Sequence, residues 1–323
     1  MTILHSTSFI PEAICKICNH TGATPVFSGP DRLMCLPGVF QFVRCSYCGT
    51  FYQWPKLPWD ELQKYYQGDY DSYISALADE PSRIRRWLRR RYTLKMRRFV
   101  EQFAQNGVLL DIGCGTGVFL EEMQMSGRWQ LHGIEPTTTA ANYVRQRFGI
   151  PVINSLVEQV SLPDCTFDVV TMWNVFEHLS DPKLVIQKVY HSLKPNGIAI
   201  IAVPNYESLS RVIFGKYWCG WDLPRHLFIL PSTTLLELVK RTGFTVRQHK
   251  CFIGTYALLG HSLSFLQQDL TGSKQTVLSI LQKIYISPIG RLLFYPLQYM
   301  TEQTGLASIK VWALQKHDIN KYS

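Results

Sequence analysis

The sequence predicts an α/β protein built on a mostly parallel sheet with helices on both faces. Two observations carry this expectation. Between residues 105 and 204, strand-like and helix-like segments alternate, and the strands read as continuous apolar runs, the pattern of strands buried on both sides. Between the first of these strands and its helix stand Gly113, Gly115 and Gly117, at a strand-to-helix turn where sheets of this kind bind ligands.

The elements follow in order. Val108 to Asp111 is a short apolar strand ending in a carboxylate, and a helix begins near Val118. Leu131 to Glu135 is the second strand and Thr138 to Phe148 the second helix. Val152 and Ile153 mark a third strand, and Phe167 to Trp173 a fourth. Asp181-Pro182 starts a helix, with Asp as cap and Pro in the first turn. Asn196-Gly197 is expected to turn into a fifth strand, Ile198 to Val203. Pro231-Ser232 opens a helix that Gly243 stops, with Leu235, Leu236, Leu238 and Val239 on its buried side. Phe244 to Val246 and Ile309 to Leu314 complete the strands, and residues 255 to 300 read as apolar helices.

Around this core the chain divides into residues 1–58, rich in Cys, Pro and Gly; a helical, aromatic and then basic connector, 59–104; and a large domain, 105–323, with insertions at about 205–230 and 255–300. The net charge is +9 and its source is local. Arg83 to Arg98 carries nine cations and no acid, and the other basic residues equal the 24 acidic ones. The first residues show no secretory pattern, so the reading is cytoplasmic, where paired cysteines bind metal or sit in the core. No stretch reaches the roughly 18 apolar residues of a spanning helix. The nearest approach, Val277 to Met300, is interrupted by Lys283, Pro288, Arg291 and Pro296.

The central motif is Asp111-Ile112-Gly113-Cys114-Gly115-Thr116-Gly117. The first glycine permits a sharp turn, the second a close ligand approach, and the third tight packing of helix on strand. A dinucleotide fingerprint needs its third glycine one place later, where Val118 stands, and this argues against NAD or FAD. The motif resembles the signature of class I S-adenosylmethionine (SAM) dependent methyltransferases, which have a Rossmann-like sheet with an antiparallel last strand. Glu135, eighteen residues after Gly117, stands where that family's acidic residue holds both ribose hydroxyls. The resemblance implies that Asp111 and the glycine backbone hold the methionine end. It places Leu156 and Val157 beside the adenine, and Asn174 facing the sulfonium. The run Phe167 to Val170 through Glu177-His178-Leu179 resembles the family's fourth motif.

Cys15-x-x-Cys18 and Cys45-x-x-Cys48, 26 residues apart, form two knuckles that can place four thiolates on one tetrahedral zinc. With no open position, that zinc is structural. The other five cysteines, Cys35, Cys114, Cys165, Cys219 and Cys251, are expected in the core. The stretches Asp31 to Gly38, Val43 to Gly49 and Tyr65-Tyr66 resemble the amino-terminal zinc-ribbon-like module of a bacterial, UbiG-like methyltransferase group.

Two further features invite roles. The basic helix is either a solvated face or a grip for phosphate or anionic lipid. The loop Tyr217 to His226 resembles a segment of the same group, at a place where class I methyltransferases usually build their acceptor pocket; Trp218 and Trp221 can stack on a flat apolar face, and Asp222 and Arg225 can fix hydroxyl or phosphate groups. The alternative is a structural plug in which Arg225 pairs with Asp222. Residues 255–300 form a cap on the acceptor site or a peripheral membrane patch.

These features predict transfer of a methyl group to a small-molecule, sugar, glycan or lipid-linked acceptor, which the basic helix suits if it is phosphorylated. His226, His178, Asp222 and Glu177 are the candidate bases. Two alternatives stand: an rRNA or tRNA methyltransferase, and a non-catalytic SAM-binding protein. Against nucleic acid, Asn174-Val175-Phe176-Glu177 occupies the place of an Asn-Pro-Pro-Tyr motif.

Overall fold

The computed structural model of the chain describes residues 9–66, 83–252 and 255–317. The chain divides into two compact bodies. The first gathers Met1–Tyr66, Pro204–Leu235 and Lys250–Lys310; the second gathers Gln67–Val203, Leu236–His249 and Val311–Ser323.

Four strands come first: β1 (Ile10–Ile14), β2 (Thr21–Pro30), β3 (Val39–Cys45) and β4 (Phe51–Gln53), each antiparallel to the next. The short helix α1 (Trp59–Leu62) runs into a 3-10 turn, Gln63–Tyr66. The basic helix is α2 (Arg83–Val100). The expected alternation follows as β5 (Gly107–Ile112), α3 (Val118–Gln124), β6 (Trp129–Ile134), α4 (Thr138–Phe148), β7 (Val152–Ile153), β8 (Phe167–Trp173), α5 (Pro182–Ser192) and β9 (Leu193–Pro204). Then come α6 (Leu209–Phe214), β10 (Phe228–Ile229), α7 (Ser232–Thr242) and β11 (Phe244–Lys250). Three helices, α8 (Thr255–Gln268), α9 (Gly272–Ile286) and α10 (Pro288–Thr304), precede the last strand, β12 (Ile309–Lys316).

The second body holds the seven-stranded sheet, ordered β11-β12-β9-β8-β5-β6-β7, parallel from β9 to β7 with antiparallel last strands. Its central strands are buried on both faces: Leu109, Val169, Val170, Met172, Ile200 and Ile201 are all inaccessible. The helix signals hold locally. Asp181 Oδ1 accepts the Leu184 amide at 3.0 Å, and Pro182 opens α5. One expectation changes form: Asn196-Gly197 is not a turn between elements. β9 runs through it, with Asn196 at φ 64° and the pairing with β8 shifting register between Leu193 and Ile198.

The first body holds the second sheet, ordered β1-β2-β3-β4-β10. Its fifth strand comes from the insertion after β9: Phe228 and Ile229 pair antiparallel with Tyr52 and Phe51. The insertions near 205–230 and 255–300 therefore group with the amino-terminal strands and not with the 105–204 sheet. Their shared core joins Phe40, Phe42, Phe51, Trp218, Trp221, Leu223 and Ile229. Among the described residues no single helix is long and apolar enough to cross a membrane.

Candidate functional site

The glycine turn sits at the carboxyl end of β5. Gly113, Gly115 and Gly117 have φ of 69°, 52° and 79°, a region that side chains with a Cβ rarely adopt. A Cβ at Gly113 would lie 2.5 Å from Val175, and one at Gly117 would lie 2.9 Å from Val144 of α4. The amides of Gly113 and Cys114 both donate to the Ile134 carbonyl, at 2.7 and 3.1 Å, and tie the turn to β6. Glu135, the residue after β6, closes the other side. Its Oε2 accepts the Gly115 amide at 2.9 Å and its Oε1 the Thr137 amide at 2.8 Å. The Thr137 side chain also hydrogen-bonds this carboxylate, which leaves part of its acceptor capacity of about four sites for a ligand hydroxyl.

Burial raises the Glu135 pKa above the usual carboxylate range, against the two amide bonds. Asp111, 3% exposed, accepts a hydrogen bond from Thr171 Oγ1 at 2.6 Å. Its pKa is pushed up to about 7, first by burial and further by the Glu135 charge, with the Thr171 bond opposing. Two buried carboxyls at one end of a sheet form a site suited to a cation.

Among the described residues, polar atoms without partners lie at the same carboxyl end of the strands. Asn174 follows β8 with φ of 56°, and its amide donates to the Ala202 carbonyl at 3.1 Å. Its Oδ1 and the Trp173 Nε1 are buried with no hydrogen-bond partner among the described residues. Buried orphans of this kind are rare and fit a polar ligand. Leu156 is half-buried and Val157 buried. The ammonium of Lys188, on α5, donates to the carbonyls of Val157, Glu158 and Val160 at 3.3, 2.6 and 2.9 Å and fixes that segment. Sequence reasoning missed both Lys188 and Thr171; neither lies in a motif, and their partners are set only by folding. These donors and acceptors fit SAM, whose amino group and sulfonium are cationic and whose ribose offers two hydroxyls.

Glu177 and His178 lie on a 3-10 turn, Phe176–His178, just beyond Asn174. Glu177 is buried and His178 half-buried.

In the first body the four cysteines converge. Cys15 and Cys48 Sγ are 3.6 Å apart, as are those of Cys18 and Cys45, and all four lie within 4.8 Å of one another. Each knuckle is closed by a matching bond: the Asn19 amide to the Cys15 carbonyl at 2.8 Å, and the Gly49 amide to Cys45 at 3.2 Å. The hydrogen bond with Cys15 pushes Cys48 down to about 4, while the same bond and burial push Cys15 up. Four converging sulfurs form the donor set of a closed, structural zinc site. Of the other five cysteines, Cys114, Cys219 and Cys251 are buried as expected, whereas Cys35 and Cys165 are exposed.

The aromatic loop corrects a larger expectation. Trp218 is fully buried, with its Nε1 donating to Ser210 Oγ at 3.1 Å. Trp221 donates to the Gly215 carbonyl at 3.0 Å and packs 5.1 Å from Phe42 and 5.2 Å from Phe27. Neither indole has a face left for an acceptor. Arg225 is 0% exposed and uses all five of its N–H groups. Nε donates to Asp222, Nη1 to Asp31 Oδ2 and the Tyr65 carbonyl, and Nη2 to Asp31 Oδ1 and Asp222 Oδ1. The plug reading thus describes Trp218, Trp221 and Arg225, because no stacking face and no donor is left for a substrate. Asp222 serves the same network.

His226 differs. Its Nδ1 lies 2.8 Å from the Gly220 carbonyl, which only accepts, so Nδ1 carries the proton and Nε2 the lone pair. Burial lowers its pKa, ahead of the opposing Asp222 charge, and keeps it neutral near pH 7. It retains the protonation state of a base.

The basic helix is partly engaged within its own body. Arg97 and Arg90 pair with the buried Glu122, at 2.9 and 3.6 Å, and Arg91 lies over the Trp87 ring at 4.7 Å. Arg91, Lys95 and Arg98 are exposed. The side chains of Arg83, Arg85, Arg86 and Arg89 lie outside the described residues.

A glycine turn clamped through a carboxylate to the next parallel strand belongs to Rossmann-like proteins that bind nucleoside cofactors. A family model described as a methyltransferase domain matches residues 84–249, about half of the chain, and the chain belongs to that family. It is 28% identical over 161 residues to a probable S-adenosylmethionine-dependent methyltransferase of Mycolicibacterium smegmatis, covering 49% of this chain and 59% of that one. It is 34% identical over 125 residues to the ubiquinone biosynthesis O-methyltransferase of Rhodopseudomonas palustris, covering 36% and 48%. The chain thus spans about half to three fifths of the length of these curated relatives. Among solved structures, a SAM-dependent methyltransferase from Archaeoglobus fulgidus aligns with a TM-score of 0.48 and 21% identity, covering 71% of this chain and 94% of that one.

Proposed function

We propose that the protein transfers the methyl group of SAM to a small-molecule acceptor. The observation that carries this reading is the Glu135 carboxylate, fixed by the amides of Gly115 and Thr137 and by the Thr137 side chain beside the glycine turn, and still able to accept a ligand hydroxyl. Asp111 supplies negative charge for the cationic end of the cofactor. Relatives named as O-methyltransferases support an oxygen acceptor.

SAM supplies an electrophilic methyl group. Asp111, Glu135 and the glycine turn would hold the cofactor, it would offer that methyl to an acceptor oxygen, and a base of this chain would take the acceptor proton. The chain's contribution is alignment and proton removal, which act on the transition state. His178 and Glu177, on the turn after Asn174, are the bases on offer in the body that holds the glycine turn.

The test is incubation of the purified protein with methyl-labelled SAM and fractionated small-molecule, lipid and RNA extracts. Label in an organic-soluble or small-molecule product is expected. Label confined to RNA would replace this reading with the nucleic-acid one. SAM binding without turnover on any fraction would leave a binding protein.

A further inference from the structure

The first body carries a large apolar surface on α9 and α10. Val277, Ile280 and Leu281 of α9 are 57%, 53% and 51% exposed, and Leu292, Leu293 and Tyr295 of α10 are 75%, 65% and 59% exposed. On α9 these positions fall at helical spacing and form one face. The surface extends onto α6, where Val212 and Ile213 are each 62% exposed and Ile213 lines a cleft together with Phe294 and Leu297. Exposed apolar side chains concentrated on neighbouring helices in this way mark an interaction site.

The charge on this surface is of one sign. Lys274, Lys283 and Arg291 are exposed, and no Asp or Glu occurs between Asp269 and Glu302. A second copy of the chain would bring cations against cations, since a two-fold contact presents the same patch from both sides. An anionic surface with an apolar interior complements it.

Geometry limits the depth. α9 and α10 meet at Ser287-Pro288 and bend by 81°, with Tyr285 and Phe294 packed edge to face at 5.1 Å across the elbow. The 15 residues of α9 reach about 22 Å, short of the ~30 Å apolar core of a bilayer. Exposed Tyr295 and Tyr299 suit the headgroup boundary.

We propose that α9 and α10 form an arm that lies in one leaflet of a bilayer containing anionic lipids. Apolar side chains enter the acyl region while Lys274, Lys283 and Arg291 meet the headgroups. The arm stands independently of the methyl-transfer reading, because none of its residues belongs to the cofactor site. For a methyltransferase, it would place the enzyme where lipid-linked acceptors reside.

The test is co-sedimentation of the full chain with vesicles of phosphatidylcholine alone and of phosphatidylcholine mixed with phosphatidylglycerol. Binding is expected to the mixed vesicles and to weaken with salt. Leu292→Asp combined with Leu293→Asp should reduce partition by about tenfold or more, and Lys274→Gln, Lys283→Gln and Arg291→Gln together by about a hundredfold. Both variants change exposed positions, and an unaltered melting temperature and SAM affinity would show that they fold. As a readout that needs no loss of function, Tyr295→Trp fluorescence should be quenched by brominated lipid. Three results would each overturn the proposal: no binding to the mixed vesicles, equal binding by the aspartate variant, or a dimer that the aspartate variant disperses without any vesicle binding.

Discussion

Arg225 and Asp31, 194 residues apart in sequence, form a two-pronged ion pair with contacts of 2.6 and 3.1 Å and no solvent exposure of either side chain. Asp31 also caps its own turn by accepting the amides of Leu33 and Met34, both at 3.1 Å. The pair holds the aromatic loop against the amino-terminal strands of the first body. Removing one member leaves a buried charge short of its partner, which costs about 3–5 kcal/mol. Asp31→Ala and Arg225→Ala should therefore each lower stability to urea by that order while the SAM affinity of the folded protein is retained. A midpoint equal to wild type in both would contradict the role assigned to the pair.

Glu135→Ala should weaken SAM binding by about ten- to a hundredfold, since a hydrogen bond to a charged group is lost at roughly 1.5–3 kcal/mol. Gly115→Val should also abolish binding, because φ of 52° disfavours a branched side chain at the point of ligand approach. Isothermal calorimetry on the folded variants checks both. Wild-type affinity in either would remove the cofactor assignment.

Asp111 gives a dependence on pH. Its folded pKa is about 7, against 3.8 for an ordinary aspartate. Between those values the folded protein holds a proton that the unfolded chain has released, so stability is highest at the acid end and declines as pH rises towards 7. Above that, the buried charge is a net cost. In the absence of SAM, Asp111→Asn should be more stable than wild type at pH 8, by a few kcal/mol at most, and the gain should shrink towards pH 4. The same variant should bind SAM more weakly, most clearly above pH 7, where wild-type Asp111 is charged. Melts at several pH values, with and without SAM, read both effects. Equal stability at pH 8 would count against a buried, raised carboxyl.

The thiolate cluster should hold one zinc per chain when the protein is purified without chelator. Cys45→Ser should release it and lower the melting temperature. Metal analysis by mass spectrometry decides, and absence of zinc in the wild type would reject the site.

For the base, His178→Ala should lower kcat by about a hundredfold or more and leave the SAM affinity intact. Glu177→Gln is the comparison. If only Glu177→Gln lowers kcat, the proton goes to the carboxylate of the same turn instead.

The parallel sheet and the cofactor turn were legible in the sequence because their determinants are local. Glycine spacing, a carboxylate at the end of each of two strands, and Asp181-Pro182 at a helix start all act within a few residues. The two cysteine pairs were legible because each knuckle is also local. The choice between acceptor site and plug for the aromatic loop was not legible, because its environment is not local. Trp221 finds Phe27 and Phe42, Trp218 finds Ser210, and Arg225 finds Asp31 only once β10 has joined β4. A loop rich in Trp, Asp, Arg and His looks like an acceptor site and like a buried polar plug equally, since both require satisfied donors next to aromatic surface.

The order of the segments has a consequence for synthesis. The chain leaves the first body after Tyr66, returns at Pro204, leaves again after Leu235 and returns at Lys250. The cysteine knuckles are complete once Cys48 has emerged from the ribosome, but Arg225, which neutralises Asp31, is made far later. During that interval the nascent amino-terminal strands expose the apolar side chains that Trp218 and Trp221 will cover. Early metal capture would hold those strands in register until the loop arrives, so zinc starvation should show first as aggregation of newly made chains and only later as loss of mature protein.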